Sequence, residues 1–262
     1  MASPDSAASP IVGTLRGIAR SIGFDVVRYR KGEAAIPPDC DAATAETIRR
    51  VQSYTQTSPE RIASLCDATR YVVGAGIPGA IVECGVWRGG SMMAVIRTLL
   101  EAGDLTRDLF LYDTFEGMPA PGAQDVTRAG TPASALMRDA SKDDPDSIWC
   151  YAPIDAVKRA VCGIGYPEEK IHFVQGKVEE TVPRLAPERI ALLRLDTDWY
   201  ESTRHEMVHL FPRLSTGGVL IVDDYGHWQG SRKAVDEWLA QTGTRILLNR
   251  IDYTGRVAVK IA

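Results

Sequence analysis

The sequence predicts an α/β fold in which a largely parallel sheet is covered by helices on both faces. Three observations lead to this prediction. From Ala80 onward, short apolar runs alternate with amphipathic segments, a glycine-rich turn follows the first run, and acidic residues end several of the runs. With 262 residues, of which 45% are hydrophobic, the chain is long enough for one large domain or for a domain with an extension.

The N-terminal part of the chain is expected to form an arm apart from the sheet. It is rich in Ala, Ser and Pro at the start, becomes basic near Arg28, and ends at the pair Pro37-Pro38. A weak helix is predicted over residues 11–21. An arm of this kind is typical of a contact between subunits, and the expected assembly is a homodimer.

Two helices are expected before the sheet, separated by the polar hinge 53–57. The second has Ser58 at the N-cap and Pro59 at the first helical position. The two helices are predicted over residues 42–52 and 58–74. The chain is therefore divided into an arm, a helical lid region and a main domain, with the boundaries 1–40, 41–76 and 77–262.

Strands and helices then alternate to the end of the chain. Strands are predicted at 80–84, 109–113, 171–174, 190–195, 218–223, 245–249 and 256–261, and helices at 91–102, 153–162, 178–184, 200–212 and 231–241. The tight turn at 253–255 fits an antiparallel last strand. The long segment 114–150, rich in Gly, Pro, Asp and Ser, predicts a substrate loop or lid. Ligands of such sheets bind at the carboxyl ends of the strands.

Composition and charge argue against several classes of protein. A net charge of −4, with dispersed Lys and Arg, argues against nucleic acid as a partner. Five widely spaced cysteines without a C-x-x-C pair indicate reduced thiols in a cytoplasmic protein rather than structural zinc. No signal peptide is expected, because the N-terminus has no basic segment followed by an apolar core, and no membrane span is expected, because the longest apolar stretch is broken by glycines and a proline.

The turn after the first strand predicts a cofactor site. Its sequence, ECGVWRGGS, runs from Glu83 to Ser91 and places three glycines before a helix start, where backbone N–H groups can bind a carboxylate or phosphate. Asp113 ends the second strand, where an acid can accept both ribose hydroxyls of a nucleoside, although a plain turn or N-cap aspartate is the alternative. The turn lacks the Gly-Lys-Ser/Thr ending of a P-loop and also differs from the dinucleotide-binding motif G-x-G-x-x-G. The alternative nucleoside cofactor is S-adenosylmethionine.

Four carboxylates follow the fourth and fifth strands. Asp196 and Asp198 are two residues apart, so on an extended backbone they point the same way, and Asp223 and Asp224 follow the next strand. Their repulsion predicts a divalent cation, and oxygen ligands suit Mg²⁺, Mn²⁺ or Ca²⁺ better than zinc. Three acids on the metal leave one to deprotonate a substrate hydroxyl. As an alternative, Asp198 and Asp224 could each be a helix N-cap.

Two histidine features leave alternatives open. Residues His205 to His209 form H-E-x-x-H, which makes a zinc metalloprotease a formal alternative, although no distal third ligand is evident. His227 follows the second acidic pair and could face a substrate or lie in a surface turn.

Four motifs in order resemble the macrocin O-methyltransferase family. They are ECGVWRGGS, the segment DTFEG from Asp113, LDTD-x-Y from Leu195, and DDY from Asp223. The resemblance covers residues 50–262 and implies a class I S-adenosylmethionine-dependent methyltransferase (Rossmann-like) fold, with a seven-stranded sheet and an N-terminal helical lid. It also implies Mg²⁺-dependent methylation of a sugar hydroxyl on a glycosylated antibiotic, here the 4-hydroxyl of a noviose-type deoxysugar.

The resemblance assigns roles to individual residues. The metal ligands would be Asp196, Asp223 and Asp224, and Asp198 would be the general base. Cofactor binding is implied for Glu83, Gly85, Arg88, Gly89, Ser91, Asp113, Gly176, Val178 and Asp196. Some relatives carry a substrate-side histidine near 130–150, and this chain has none before His172. The alternatives are methylation of a catechol-like phenol and a non-catalytic nucleotide-binding module, against which the four retained acids argue.

Overall fold

A seven-stranded sheet in the order β3-β2-β1-β4-β5-β7-β6 organises the computed structural model, which describes residues 36–144 and 147–261. The strands are β1 (Ala80–Cys84), β2 (Leu109–Asp113), β3 (Ile171–Gln175), β4 (Ile190–Leu195), β5 (Leu214–Val222), β6 (Asn249–Arg250) and β7 (Arg256–Val259). Strands β1 to β5 are parallel, whereas β7 runs antiparallel to β5 and β6. The predicted α/β fold and its antiparallel last strand are confirmed. The predicted helix over 11–21 lies outside the described residues.

Helices precede the sheet and connect its strands. They are α1 (Ala42–Val51), α2 (Pro59–Gly74), α3 (Gly90–Ala102), α4 (Ala133–Asp139), α5 (Ile154–Cys162), α6 (Val178–Thr181), α7 (Tyr200–His209) and α8 (Gln229–Thr242). Short 3-10 turns lie at Gln52–Tyr54, Glu168–Lys170 and Phe211–Arg213. No described helix has the length and apolar character needed to cross a bilayer.

Several element boundaries differ from the prediction for local reasons. Helix α6 ends at Thr181 rather than 184, because a proline at 183 disfavours helical backbone at the residue before it. Helix α7 ends at His209, and Pro212 lies in the 3-10 turn that follows. Strand β5 begins at Leu214, which pairs with Ile190 of β4, and after a register shift the pairing resumes at Val219, so an apolar pattern does not reveal the polar residues between them.

Both faces of the sheet are covered. On one face, Ile48 of α1, Leu65 of α2 and Ile96 of α3 pack in the same core as Ile81 of β1. On the other face, α7 and α8 contribute Met207 and Trp238 to a second core with residues of β1, β4 and β5. Burial on both faces explains why the strands read as continuous apolar runs.

Capping fixes the start of the second helix as the sequence predicts. The Ser58 hydroxyl accepts a hydrogen bond from Arg61 N at 3.2 Å, and Pro59 occupies the first helical position. The same hydroxyl donates to Asp252 Oδ2 at 2.8 Å, which attaches the end of the polar hinge to the turn between β6 and β7.

The long segment after β2 is folded rather than open. It contains helix α4, and Ala133 and Met137 of that helix pack with Trp199 and Trp228. The two tryptophan rings meet edge to face with centroids 5.0 Å apart. These contacts attach the segment to the starts of α7 and α8.

Candidate functional site

A cavity of about 430 Å³ lies at the carboxyl ends of β1 to β5, a volume in the range of small-molecule sites. The predicted cofactor residues among its lining are Gly85, Ser91, Asp113, Gly176, Val178 and Asp196. Glu83, Arg88 and Gly89, also predicted to bind the cofactor, are not in that lining. In sheet order, the segments after β3, β2 and β1 are followed by the acids after β4 and β5.

The turn after β1 needs glycine because it passes against the end of β4. Gly85 has φ +86°, and a Cβ there would lie 1.9 Å from the Asp196 carbonyl oxygen. A side chain at this position would therefore push apart two strand ends that line the cavity. This is the physical basis of the glycine signal in the sequence.

Asp113 shapes the same turn. Its Oδ2 accepts hydrogen bonds from the backbone N–H groups of Val86 at 2.7 Å and Trp87 at 2.9 Å, and its Oδ1 accepts one from Phe115 at 2.7 Å. Burial raises the pKa of Asp113, against the lowering effect of these donors. Since a carboxylate has about four lone-pair sites, Oδ1 retains capacity for a ligand hydroxyl.

Three of the four predicted acids converge. Asp196, Asp198 and Asp224 each bring one carboxylate oxygen within 4.8 Å of the others, and we call these three residues the acidic cluster. The extended-backbone reason given for Asp198 is wrong, since its φ is +64° and a left-handed turn directs it. Its side chain does not cap α7, because Asp125 Oδ1 accepts from Tyr200 N at 2.7 Å.

The acidic cluster is electrostatically unfavourable without a cation. Burial raises the pKa of Asp198 and of Asp224, and the charges of Asp198 and Asp196 raise the pKa of Asp224 further. Asp224 Oδ2 is buried and has no hydrogen-bond partner among the described residues. A divalent cation would relieve both the repulsion and the unpaired oxygen, so these residues fit one.

Asp223, expected as a metal ligand, lies between two guanidinium groups. Its Oδ1 accepts from Arg194 Nη2 at 2.5 Å, and its Oδ2 accepts from Arg61 Nη1. Asp198, expected as the spare acid, therefore takes the third position in the acidic cluster. The neighbours Asp223 and Asp224 could not be told apart in sequence.

Arg194 is the residue that sequence reasoning missed. It is only 2% exposed, and its Nη1 donates to Glu83 Oε1 and to Asp196 Oδ2, each at 2.7 Å. Burial raises the pKa of Glu83 to about 8, although Arg194 opposes the shift. The available signal was a single charge inside the apolar run Leu192-Leu193-Arg194-Leu195, since buried charges are rare unless paired.

The remaining histidine features have structural partners. His205 Nε2 lies 2.8 Å from the Val182 carbonyl oxygen, and the fully buried Glu206 accepts from Thr197 Oγ1 at 3.0 Å, so H-E-x-x-H is not arranged around a zinc position. His227 lines the cavity, and its Nδ1 lies 2.7 Å from the Tyr253 hydroxyl. Arg88 packs over the Trp87 ring at 4.4 Å, and its Nη1 donates to Ser53 O.

Comparison with known proteins agrees with this geometry. The family described as macrocin-O-methyltransferase (TylF) matches residues 20–259. The chain belongs to the macrocin O-methyltransferase family. The protein is therefore a methyltransferase, and its sheet is that of the class I S-adenosylmethionine-dependent methyltransferases.

Several members of the macrocin O-methyltransferase family resemble it over most of their length. A rhamnosyl-tetracenomycin-C 4'-O-methyltransferase from Streptomyces olivaceus is 32% identical, over 83% of this chain and 80% of the relative. Demethyldecarbamoylnovobiocin O-methyltransferase from Streptomyces niveus is 32% identical, over 78% and 74%. The solved structure of the O-methyltransferase NovP superposes with a TM-score of 0.69 at 30% identity, covering 80% of this chain and 83% of that one.

Proposed function

We propose that this enzyme transfers a methyl group from S-adenosylmethionine, with Mg²⁺ or Mn²⁺ at the acidic cluster, to a sugar hydroxyl of a glycosylated natural product. The convergence of Asp196, Asp198 and Asp224 beside the glycine turn carries the proposal. The names of the two curated relatives, both O-methyltransferases of antibiotic structures, support the acceptor class. The 4-hydroxyl of a noviose-type deoxysugar is the specific acceptor that we put forward.

The cofactor is proposed to lie over the ends of β1 to β3. Its ribose would bind Asp113, its methionine end would face the turn from Gly85 to Ser91, and its adenine would lie at Gly176 and Val178. The carboxylates that line the cavity favour binding of the positively charged sulfonium of S-adenosylmethionine, because opposite charges attract strongly in a partly buried site. S-adenosylmethionine supplies the methyl group when bound.

The acidic cluster is proposed to hold the cation through Asp196, Asp198 and Asp224. A bound divalent cation supplies Lewis acidity, which lowers the pKa of a substrate hydroxyl. Asp198 remains the proposed proton acceptor because it lines the cavity beside Asp196 and Asp224 and would offer a substrate hydroxyl the carboxylate oxygen that does not bind the cation. His227, which also lines the cavity, is the second candidate.

A group of apolar residues that line the cavity forms an apolar wall, which favours an apolar aglycone next to the sugar. Met118, Pro119, Leu136, Ile148 and Trp228 form this wall. Among the described lining residues, the cations besides histidine are Lys177, which follows β3, and Arg61, which is paired with Asp223 and Asp252. A neutral glycoside therefore fits this wall better than a sugar nucleotide, whose diphosphate needs cationic partners.

An acceptor panel tests the proposal. Purified enzyme with S-adenosylmethionine and Mg²⁺ is given noviosides and rhamnosides of aromatic aglycones, the matching nucleotide-diphosphate sugars, and catechols. We expect methylation of the glycosides alone. Turnover restricted to catechols or to sugar nucleotides would overturn the acceptor class, and methylation of the rhamnosides without the noviosides would overturn the noviose-type acceptor.

Cofactor binding by Asp113 gives a separate prediction. Asp113→Ala removes the acceptor for the ribose and releases two backbone donors of the turn and one of Phe115, so cofactor binding should weaken by about 2–3 kcal/mol. Calorimetric titration with S-adenosylhomocysteine measures the change. The matched control is Asp108→Asn, directly before the same strand, where the acid pairs with Lys170 and His172 on the surface. Equal affinities in Asp113→Ala and wild type would contradict the assignment.

A further inference from the structure

We propose that Arg194 is a positioning residue that holds the hinge segment Thr55–Thr57 against the site, so that closure of this segment and the arrangement of the site acids depend on one guanidinium. The part of the proposal that concerns cofactor affinity rests on the proposed function. The contact itself does not, because it links residues of this chain alone.

The sheet register brings Arg194 beneath the site. On the parallel strands β1, β4 and β5, Glu83, Arg194 and Ile221 are direct neighbours. Asp196 lies two residues after Arg194, and Asp223 lies two residues after Ile221. The side chain of Arg194, 3% exposed, therefore reaches acids that follow two different strands as well as the acid of β1.

The guanidinium uses both terminal nitrogens in full. Nη1 donates to Glu83 Oε1 and Asp196 Oδ2, while Nη2 donates to Asp223 Oδ1 and, at 2.9 Å, to the hydroxyl of Thr57. Four hydrogens on two nitrogens meet four acceptors, an arrangement that the planar fork of arginine permits. The single nitrogen of lysine carries three hydrogens at one point and cannot reproduce it.

Thr57 belongs to the segment that covers the cavity from the side of the lid helices. Thr55, Gln56 and Thr57 line the cavity, and Thr57 N donates to Thr55 Oγ1 at 3.0 Å. Tyr54, directly before this segment, packs tightly on the start of α3. A Cβ at Gly90 would lie only 2.6 Å from the Tyr54 carbonyl oxygen. Thr57 is thus the residue through which this segment contacts Arg194 and the acids that Arg194 binds under the site.

A second arginine attaches the next part of the same segment. Arg61, in the first turn of α2, pairs with Asp223 from one nitrogen and with Asp252 from Nε at 3.0 Å. Asp223 is therefore a bridge between the two arginines. Through this bridge, any shift of Arg194 also reaches the start of α2 and the turn between β6 and β7.

The linkage has a thermodynamic consequence for ligand binding. A ligand that orders Asp196, which lines the cavity, also fixes Arg194, and a fixed Arg194 presents Nη2 to Thr57. Binding should therefore stabilise the closed segment, and loss of the Thr57 hydroxyl should weaken binding by the same coupling free energy.

Four variants of the full-length enzyme test the proposal: Thr57→Val, Thr57→Ser, Arg194→Lys and the double variant Thr57→Val/Arg194→Lys. Hydrogen exchange of the amides of residues 54–58 reports closure, and calorimetric titration with S-adenosylhomocysteine reports cofactor affinity. Arg213→Lys is the matched control, because the guanidinium of Arg213 donates to the backbone carbonyls of Ala186 and Pro187, which do not line the cavity.

We expect Thr57→Val to speed exchange at residues 54–58 and to weaken affinity by about tenfold, the cost of about one hydrogen bond to a charged group. Thr57→Ser, which keeps the hydroxyl, should restore both. In the Arg194→Lys background, Thr57→Val should add less than about twofold, since the two residues act through one contact.

Two outcomes would overturn the proposal. Unchanged exchange at residues 54–58 in both Thr57→Val and Arg194→Lys would mean that the contact does not hold the segment. A full tenfold effect of Thr57→Val in the Arg194→Lys background would mean that Thr57 binds the ligand directly and not through Arg194. If the wild-type enzyme fails to bind S-adenosylhomocysteine, the proposed function fails, while exchange still decides the contact.

Discussion

Replacing Asp198 by asparagine is expected to slow methyl transfer by about 10²–10⁴-fold at saturating acceptor, the usual cost of losing a general base. Asparagine keeps the size and polarity of the side chain but cannot take a proton as a carboxylate does. Asp198 lines the cavity, and helix α7 does not depend on it because Asp125 binds Tyr200 N. Folding and S-adenosylhomocysteine affinity should therefore survive the change.

Two comparisons make the Asp198 experiment decisive. Because Asp198 also belongs to the acidic cluster, the rate is measured over a Mg²⁺ titration, and a general-base loss persists at saturating Mg²⁺. His227→Gln tests the other candidate on the cavity wall, and the exposed Asp67→Asn serves as the control for loss of one charge. A near wild-type rate for Asp198→Asn, together with a slow His227→Gln variant, would transfer the role to His227.

Removal of divalent cations is expected to abolish turnover, and added Mg²⁺ or Mn²⁺ should restore it. Asp224→Asn should raise the Mg²⁺ concentration needed for half-maximal rate by at least about tenfold, since a charged oxygen ligand is replaced by a neutral one. The buried, unpaired Oδ2 of Asp224 is the structural reason for choosing this residue.

Asp223 provides the matched comparison for the cation experiment. Because its oxygens bind Arg194 and Arg61, Asp223→Asn should leave the half-saturating Mg²⁺ concentration nearly unchanged. It should instead lower the free energy of unfolding by about 3–5 kcal/mol, the cost of breaking a buried ion pair. Full activity after exhaustive treatment with EDTA would refute a metal requirement, and equal Mg²⁺ shifts in the two variants would return Asp223 to the ligand set.

The sequence predicted the sheet well because buried parallel strands have a simple pattern. Each strand from β1 to β4 is a short apolar run, and Asp113 and Asp196 mark where two of them end. The start of β5 and the two-residue strand β6 escaped this pattern, because backbone pairing and not side-chain burial defines them. Helix α4 was missed because the segment around it reads as a polar loop.

The site was predictable in its position but not in its partners. Chain order places four acids at one edge of the sheet. It does not show which of these acids form ion pairs with Arg61 and Arg194. That choice depends on the register of β1, β4 and β5 and on α2, which is far away in sequence. The left-handed backbone at Asp198 is a further feature that the sequence did not predict, since an aspartate does not require this conformation.

The cap that Asp125 places on α7 limits how the acceptor range of this enzyme can be redesigned. Grafting the 114–150 segment from a relative is the obvious way to change the apolar wall. Asp125, 2% exposed, accepts from both Gly122 N and Tyr200 N at 2.7 Å, so the graft also decides whether the helix after Asp198 begins in place. Chimeras that retain an aspartate at this position should keep their catalytic geometry. In chimeras without it, the acceptor preference would change and the rate of methyl transfer would fall at the same time.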